Sequence, residues 1–125
     1  MRAMIRARLL AAQILALTAT LASASSVIAE ESSGQLYSLA LEARSHREYP
    51  LMIYFLERAA RQGHPVAQER LGIALLAGES IYGNAVPRDF CGAVRWFRRA
   101  GGQGSEVGKA YNEMLANLDS TRACQ

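Results

Sequence analysis

The two cysteines of this chain, Cys91 and Cys124, are its residues best suited to covalent chemistry. In an oxidising compartment the default for such a pair is a structural disulfide, and closing that loop would constrain the unfolded chain by about 4 kcal/mol. Two other states are open. On a helix Cys91 shares a side with Arg95 and Arg98, and neighbouring guanidiniums favour a thiolate, so a redox-active or intermolecular thiol is the sharper alternative. Two free thiols are the third. The only histidines, His46 and His64, stand near a helix break and at a helix start, and spacing alone leaves a Cys91–histidine nucleophile pair open. There is no metal-ligand spacing of cysteines or histidines, no glycine-rich phosphate loop and no Gly-x-Ser-x-Gly elbow. We therefore expect no catalytic residue, no cofactor and no metal, and read the chain as a non-enzyme.

Arginine is the other candidate chemistry. Beyond residue 29 the chain has ten arginines and a single lysine, Lys109, and planar guanidiniums suit carboxylates and phosphates. Arg95, Arg98 and Arg99 cluster on one helix, and with Tyr54 and Arg58 they form the expected partner-binding set, suited to an acidic partner or a protein C-terminus. The competing reading is a solvated face paired locally, as Glu57 and Arg61 can pair at i, i+4.

These residues need elements to hold them, and an internal repeat supplies the plan. Phe55-Leu56-x-x-Ala59-Ala60-x-Gln62-Gly63 aligns with Trp96-Phe97-x-x-Ala100-Gly101-x-Gln103-Gly104 at an offset of 41. In the second copy Ala93, Trp96, Phe97 and Ala100 make one apolar stripe at helical period, so Trp96 and Phe97 read as core. Asp89 fits an N-cap and Pro87 bars helix upstream. Gly63 and Gly104 offer the left-handed residue that ends a helix in a tight turn. Pro65 and Ser105-Glu106 then open second helices over about 65–77 and 106–118, the latter with apolar Val107, Ala110, Tyr111, Met114, Leu115 and Leu118. Residues 78–89 read as a loop between the copies. Leu36, Tyr37, Leu39, Ala40 and Ala43 suggest one more helix before a break near 45–50. The expected fold is all-α: a short, right-handed α-solenoid of about five antiparallel helices, or two to two and a half hairpins, with repeats at about 49–83 and 84–118 and a short C-terminal tail.

The string Ala67-x-x-x-Leu71-Gly72-x-x-Leu75-x-x-Gly78, continuing Tyr82-Gly-Asn-x-Val86-x-x-Asp89-x-x-x-Ala93-x-x-Trp96-Phe97-x-x-Ala100-x-x-Gln103-Gly104, resembles the Sel-one-like repeat, an extracytoplasmic-leaning cousin of the tetratricopeptide repeat. The resemblance covers residues 49–118. It implies a solenoid that binds proteins or peptides on its concave face, usually without catalysis. Gly101 replaces an expected Ala, and Asn112 and Glu113 replace Leu-Gly, so the last helix reads as a cap with a polar outer face. Some cysteine-rich members bind or slowly hydrolyse β-lactams, which gives one alternative function, although here only Cys91 lies within a repeat.

The N-terminus sets the compartment. Arg2, Arg6 and Arg8 precede an uncharged apolar run at residues 9–21 and two small-residue cleavage sites, ending at Ala24 and Ala29. That is the plan of a secretory signal peptide, 1–29, cleaved after Ala29; an uncleaved anchor is the alternative, and both place the rest of the chain outside the cytoplasm. The formal charge of +3 resides in those three arginines, because the remainder balances eleven bases against eleven acids. Nucleic acid is therefore not an expected partner, and stable membrane insertion is not expected if the signal peptide is cleaved. A chain of 125 residues that is 50% apolar has room for one domain, 30–125, and excludes a multidomain enzyme. The expected function is an exported protein-interaction module, periplasmic or secreted; the other alternative is a small inhibitor or immunity-type protein that blocks a cell-envelope enzyme or toxin.

Overall fold

Between residues 30 and 124, the span that the computed structural model describes, every regular element is helical. The expected leader, 1–29, and its cleavage sites lie outside the described residues. In order come α1 (Ser33–Ser45), α2 (Tyr49–Arg61), α3 (Pro65–Ala77), α4 (Glu79–Tyr82), a 3-10 turn (Gly83–Ala85), α5 (Phe90–Gly102), α6 (Glu106–Ala116) and α7 (Asp119–Arg122). Packing runs α1 on α2, α2 on α3, α3 on α5 and α5 on α6, which makes a short all-α solenoid.

Five of these seven are the expected long helices. The two single turns correct the expectation, since α4 lies in the segment read as loop and α6 ends at Ala116, leaving α7 in the tail. One turn carries too few residues to show a period. The first closes on its own N-cap, with Ile81 and Tyr82 N–H donating to the Gly78 carbonyl at 3.2 and 3.1 Å, and the second is tied to α6 by the buried Thr121 hydroxyl, which donates to the Leu115 carbonyl.

Three turns of one kind set the geometry. At each, the third residue beyond the helix donates its N–H back into the last turn: Glu48 to Ala43 at 2.9 Å, His64 to Ala59 at 3.1 Å and Ser105 to Ala100 at 3.0 Å. The residue before it is left-handed, with φ of 59° at Arg47, 86° at Gly63 and 93° at Gly104, the pattern that satisfies orphan carbonyls at a helix end. After two of the three the next helix is capped from its own N-cap side chain, His64 Nδ1 accepting from Ala67 N–H at 3.2 Å and Ser105 Oγ from Gly108 N–H at 2.8 Å, whereas Glu48 makes no side-chain cap. Asp89 caps α5 by accepting from Gly92 N–H at 2.8 Å, as expected. Helix starts, turn and cap all recur at the offset of 41. The helices themselves begin sixteen residues apart at Ser33, Tyr49 and Pro65, and again at Phe90 and Glu106.

The recurring Gln-Gly has a physical role, because each glutamine reaches back to an earlier element. Gln62 Nε2 donates to the Glu31 carbonyl at 3.2 Å, and Gln103 Nε2 to Gln68 Oε1 at 2.8 Å. Gln68 is itself buried and donates to the Ala60 carbonyl at 3.0 Å, so the polar group in the core is satisfied.

The core divides along the repeats. Leu36, Met52, Leu56 and Leu71 with intervening alanines join α1, α2 and α3; Ala93, Val94, Phe97 and Leu115 join α5 and α6. At the α5–α6 crossing a Cβ on Gly108 would stand 2.5 Å from the Gly101 nitrogen and 2.9 Å from Ala100 Cβ. The loss of the expected alanine at 101 therefore accompanies a close backbone approach. Gly108→Ala should force the helices apart and cost about 2 kcal/mol, read as a lower urea midpoint at unchanged slope.

The last helix corrects a second expectation. Asn112 turns inward, its Nδ2 donating to the Phe97 carbonyl at 3.4 Å. Val107, Met114 and Leu118, expected in the apolar stripe, are exposed instead, because among the described residues no further long helix follows α6. The outer flank is thus mixed and not uniformly polar.

Candidate partner-binding face

Cys91 lies in the first turn of α5 and Cys124 just beyond α7, with Cα atoms 5.2 Å apart and the sulfurs joined in a disulfide. Of the three states open to the pair, the structure holds the structural bond. The bond ties the tail back to the start of α5, and among the described residues no cysteine is free.

The five expected partner-binding residues do not form one patch. On α2, Tyr54 is half exposed and the Arg58 guanidinium sits 5.6 Å from its ring centroid. Arg58 also donates to Glu31 at 2.8 Å, so its charge is matched within the chain. On α5, Arg99 lies over the Trp96 ring at 5.0 Å. Arg95 stands 3.9 Å from Asp89, whose other carboxylate oxygen caps α5; at that distance and exposure the pair contributes little. Arg98 points to solvent on the disulfide's side of the helix, without a carboxylate at ion-pair distance among the described residues.

Arg95 and Arg99 come together in a groove of about 300 Å³ between α2 and α5, shared with Arg61, Glu57, Asp89 and Trp96. Tyr54, Arg58 and Arg98 are outside it. Sequence reasoning missed Arg61 and Trp96, the first set aside as locally paired, which it is at 3.1 Å to Glu57, the second assigned to the core. Trp96 is only half-buried, packed on the core by one side and covered by Arg99 on the other. The cause is geometric. Tyr54 and Arg58 are the repeat equivalents of Arg95 and Arg99, but neighbours in a stack meet through opposite flanks, so α2 presents Glu57 and Arg61 to the groove.

The groove carries three guanidiniums against two carboxylates. Asp89 is engaged as a cap and Glu57 by Arg61, which leaves Arg99, stacked on an indole, as a pre-oriented donor fork. That arrangement can bind one further carboxylate.

No protein-family model, no curated protein and no solved structure matches the chain. Among the described residues no helix is long and apolar enough to cross a membrane.

Proposed function

We propose that this chain is an exported protein-interaction module of the Sel-one-like repeat type, cleaved after Ala29 and acting in the periplasm or after secretion. Its partner presents an acidic side chain or its own C-terminal carboxylate to the α2–α5 groove. The observation that carries this reading is the groove itself: Arg61, Arg95 and Arg99 converge beside Trp96, with one guanidinium in excess of the carboxylates. Tyr54, Arg58 and Arg98 lie outside the groove and are not needed for this contact. Export is supported by the leader plan and by a disulfide, which persists in oxidising compartments.

A panel of peptides with free and amidated C-termini tests the groove. Amidation, and the double change Arg95→Ala with Arg99→Ala, should each weaken the best binder at least tenfold, while Arg98→Ala leaves it within twofold. Equal binding of free and amidated peptides by the wild-type protein would sink the carboxylate reading. Intact mass of the protein from the envelope fraction tests export: a chain beginning at Glu30 supports it, and a full-length chain does not.

A further inference from the structure

A second cavity, of about 230 Å³, opens between α1, α2, α3 and α4 and shares no lining residue with the α2–α5 groove. Leu56, Ile73, Ala74 and Ile81 are among its apolar walls, and no carboxylate lines it. Two guanidiniums do, those of Arg44 and Arg70. Among the described residues neither has a carboxylate at ion-pair distance.

Local structure accounts for one of these charges only. Arg44 lies in the last turn of α1, where a cation is favoured by the helix dipole. Arg70 sits mid-way along α3, and its neighbours three and four residues away are Val66, Ala67, Ile73 and Ala74, none of which can pair with it. Two guanidiniums without a carboxylate partner at the edge of one apolar hollow leave a place there for an anion.

The wall also says what kind of anion. Apart from the two arginines, only Tyr82 brings a polar side chain to the lining. A peptide strand entering here would bury amides without partners, each costing a few kcal/mol. A hydrocarbon chain has none to bury.

The fold makes the same point. α1 is linked to α2, and α2 to α3, by three residues each, whereas twelve separate α3 from α5. The surplus length forms α4, which supplies Ile81 and Tyr82 to the cavity. Connecting α3 to α5 does not by itself require a helical turn, and this one closes one side of the cavity.

We propose that this cavity binds a small apolar monocarboxylate of the medium-chain fatty-acid class, with the hydrocarbon against Leu56, Ile73 and Ile81 and the carboxylate between Arg44 and Arg70. The site is independent of the protein-binding groove and does not rest on that reading.

The test titrates the full chain with decanoate, below its micelle concentration, by calorimetry and by methyl NMR. Residues 1–29 hold an apolar run of their own, so the cavity is read from differences between variants. The expected result is saturable one-to-one binding that shifts the Ile73 and Ile81 methyls. Arg70→Gln should weaken it at least fivefold, the double change Arg44→Gln with Arg70→Gln at least tenfold, and methyl decanoate should bind wild type no better than decanoate binds the double variant. Both arginines are exposed, so these variants should keep the fold, which unchanged methyl spectra without ligand would show. Undiminished decanoate binding by the double variant, no saturable binding, or a Leu-ending peptide that shifts the same methyls when decanoate does not would each overturn the proposal.

Discussion

Phe97→Ala is expected to cost about 4 kcal/mol, more than any other single truncation in this chain. Phe97 is fully buried, and its ring stacks on Tyr111 with centroids 4.2 Å apart and planes within 3°. On the other side it lies so close to Gly72 of α3 that a Cβ there would be 2.8 Å from the ring. One side chain thus fills the junction of α3, α5 and α6. Removing it takes away the transfer free energy of the ring and leaves a cavity that helices locked by their turns cannot close. Set against a typical total of roughly 5–15 kcal/mol, the loss should bring the variant close to unfolding at 37 °C. Urea denaturation measures it; a loss under about 1 kcal/mol would mean that α3 and α5 collapse onto the gap. Phe97→Leu should cost far less, because most of the volume remains.

The second large effect is at the disulfide. Cys91 and Cys124 are 33 residues apart in sequence, and in the loop-closure account a bond across that span stabilises the fold by about 4 kcal/mol. The paired change Cys91→Ala with Cys124→Ala should therefore lower the melting temperature by roughly 4–8 °C for each kcal/mol lost. The spatial pattern is as informative as the size. α7 is a single turn anchored by Thr121 on Leu115, so hydrogen exchange without the bond should rise first over residues 118–124, and later over α5. A variant that melts with the wild type would show that the tail is held without the bond.

Much of this architecture is legible in the chain because its boundaries are written in local chemistry. Asp89, Ser105, His64 with Pro65, Gly63 and Gly104 each satisfy or end a helix by interactions within a few residues, so α3 spans the expected residues and α6 starts where expected. Tertiary detail was hidden for an equally physical reason. Val86, in the segment read as loop, is buried, and Asp89 N–H donates to the Leu75 carbonyl at 3.0 Å; neither follows from neighbours in sequence. The groove residues show the same limit. The repeat correctly makes Tyr54 and Arg58 the counterparts of Arg95 and Arg99, yet which flank meets which is decided by the stacking of helices. Arg47 is a third case: the sequence signals a break near 45–50, but a left-handed arginine, where the other two turns use glycine, has no sequence signature.

The regular step between helices has an evolutionary consequence. Starts at 33, 49 and 65 would put the next helix at 81, but α5 starts nine residues late, and the step then resumes. Chain length is thus constrained within the long helices and their short turns, since one residue gained or lost inside a helix would rotate the rest of that helix by about 100° off its stripe, and one in a three-residue turn would break the N–H bond back into the preceding helix. Among the described long helices, the interval between α3 and α5 is the one place where the beat is already broken. Insertions and deletions tolerated by the lineage should concentrate there, resizing the cavity beneath α4 while the stack on either side keeps its register.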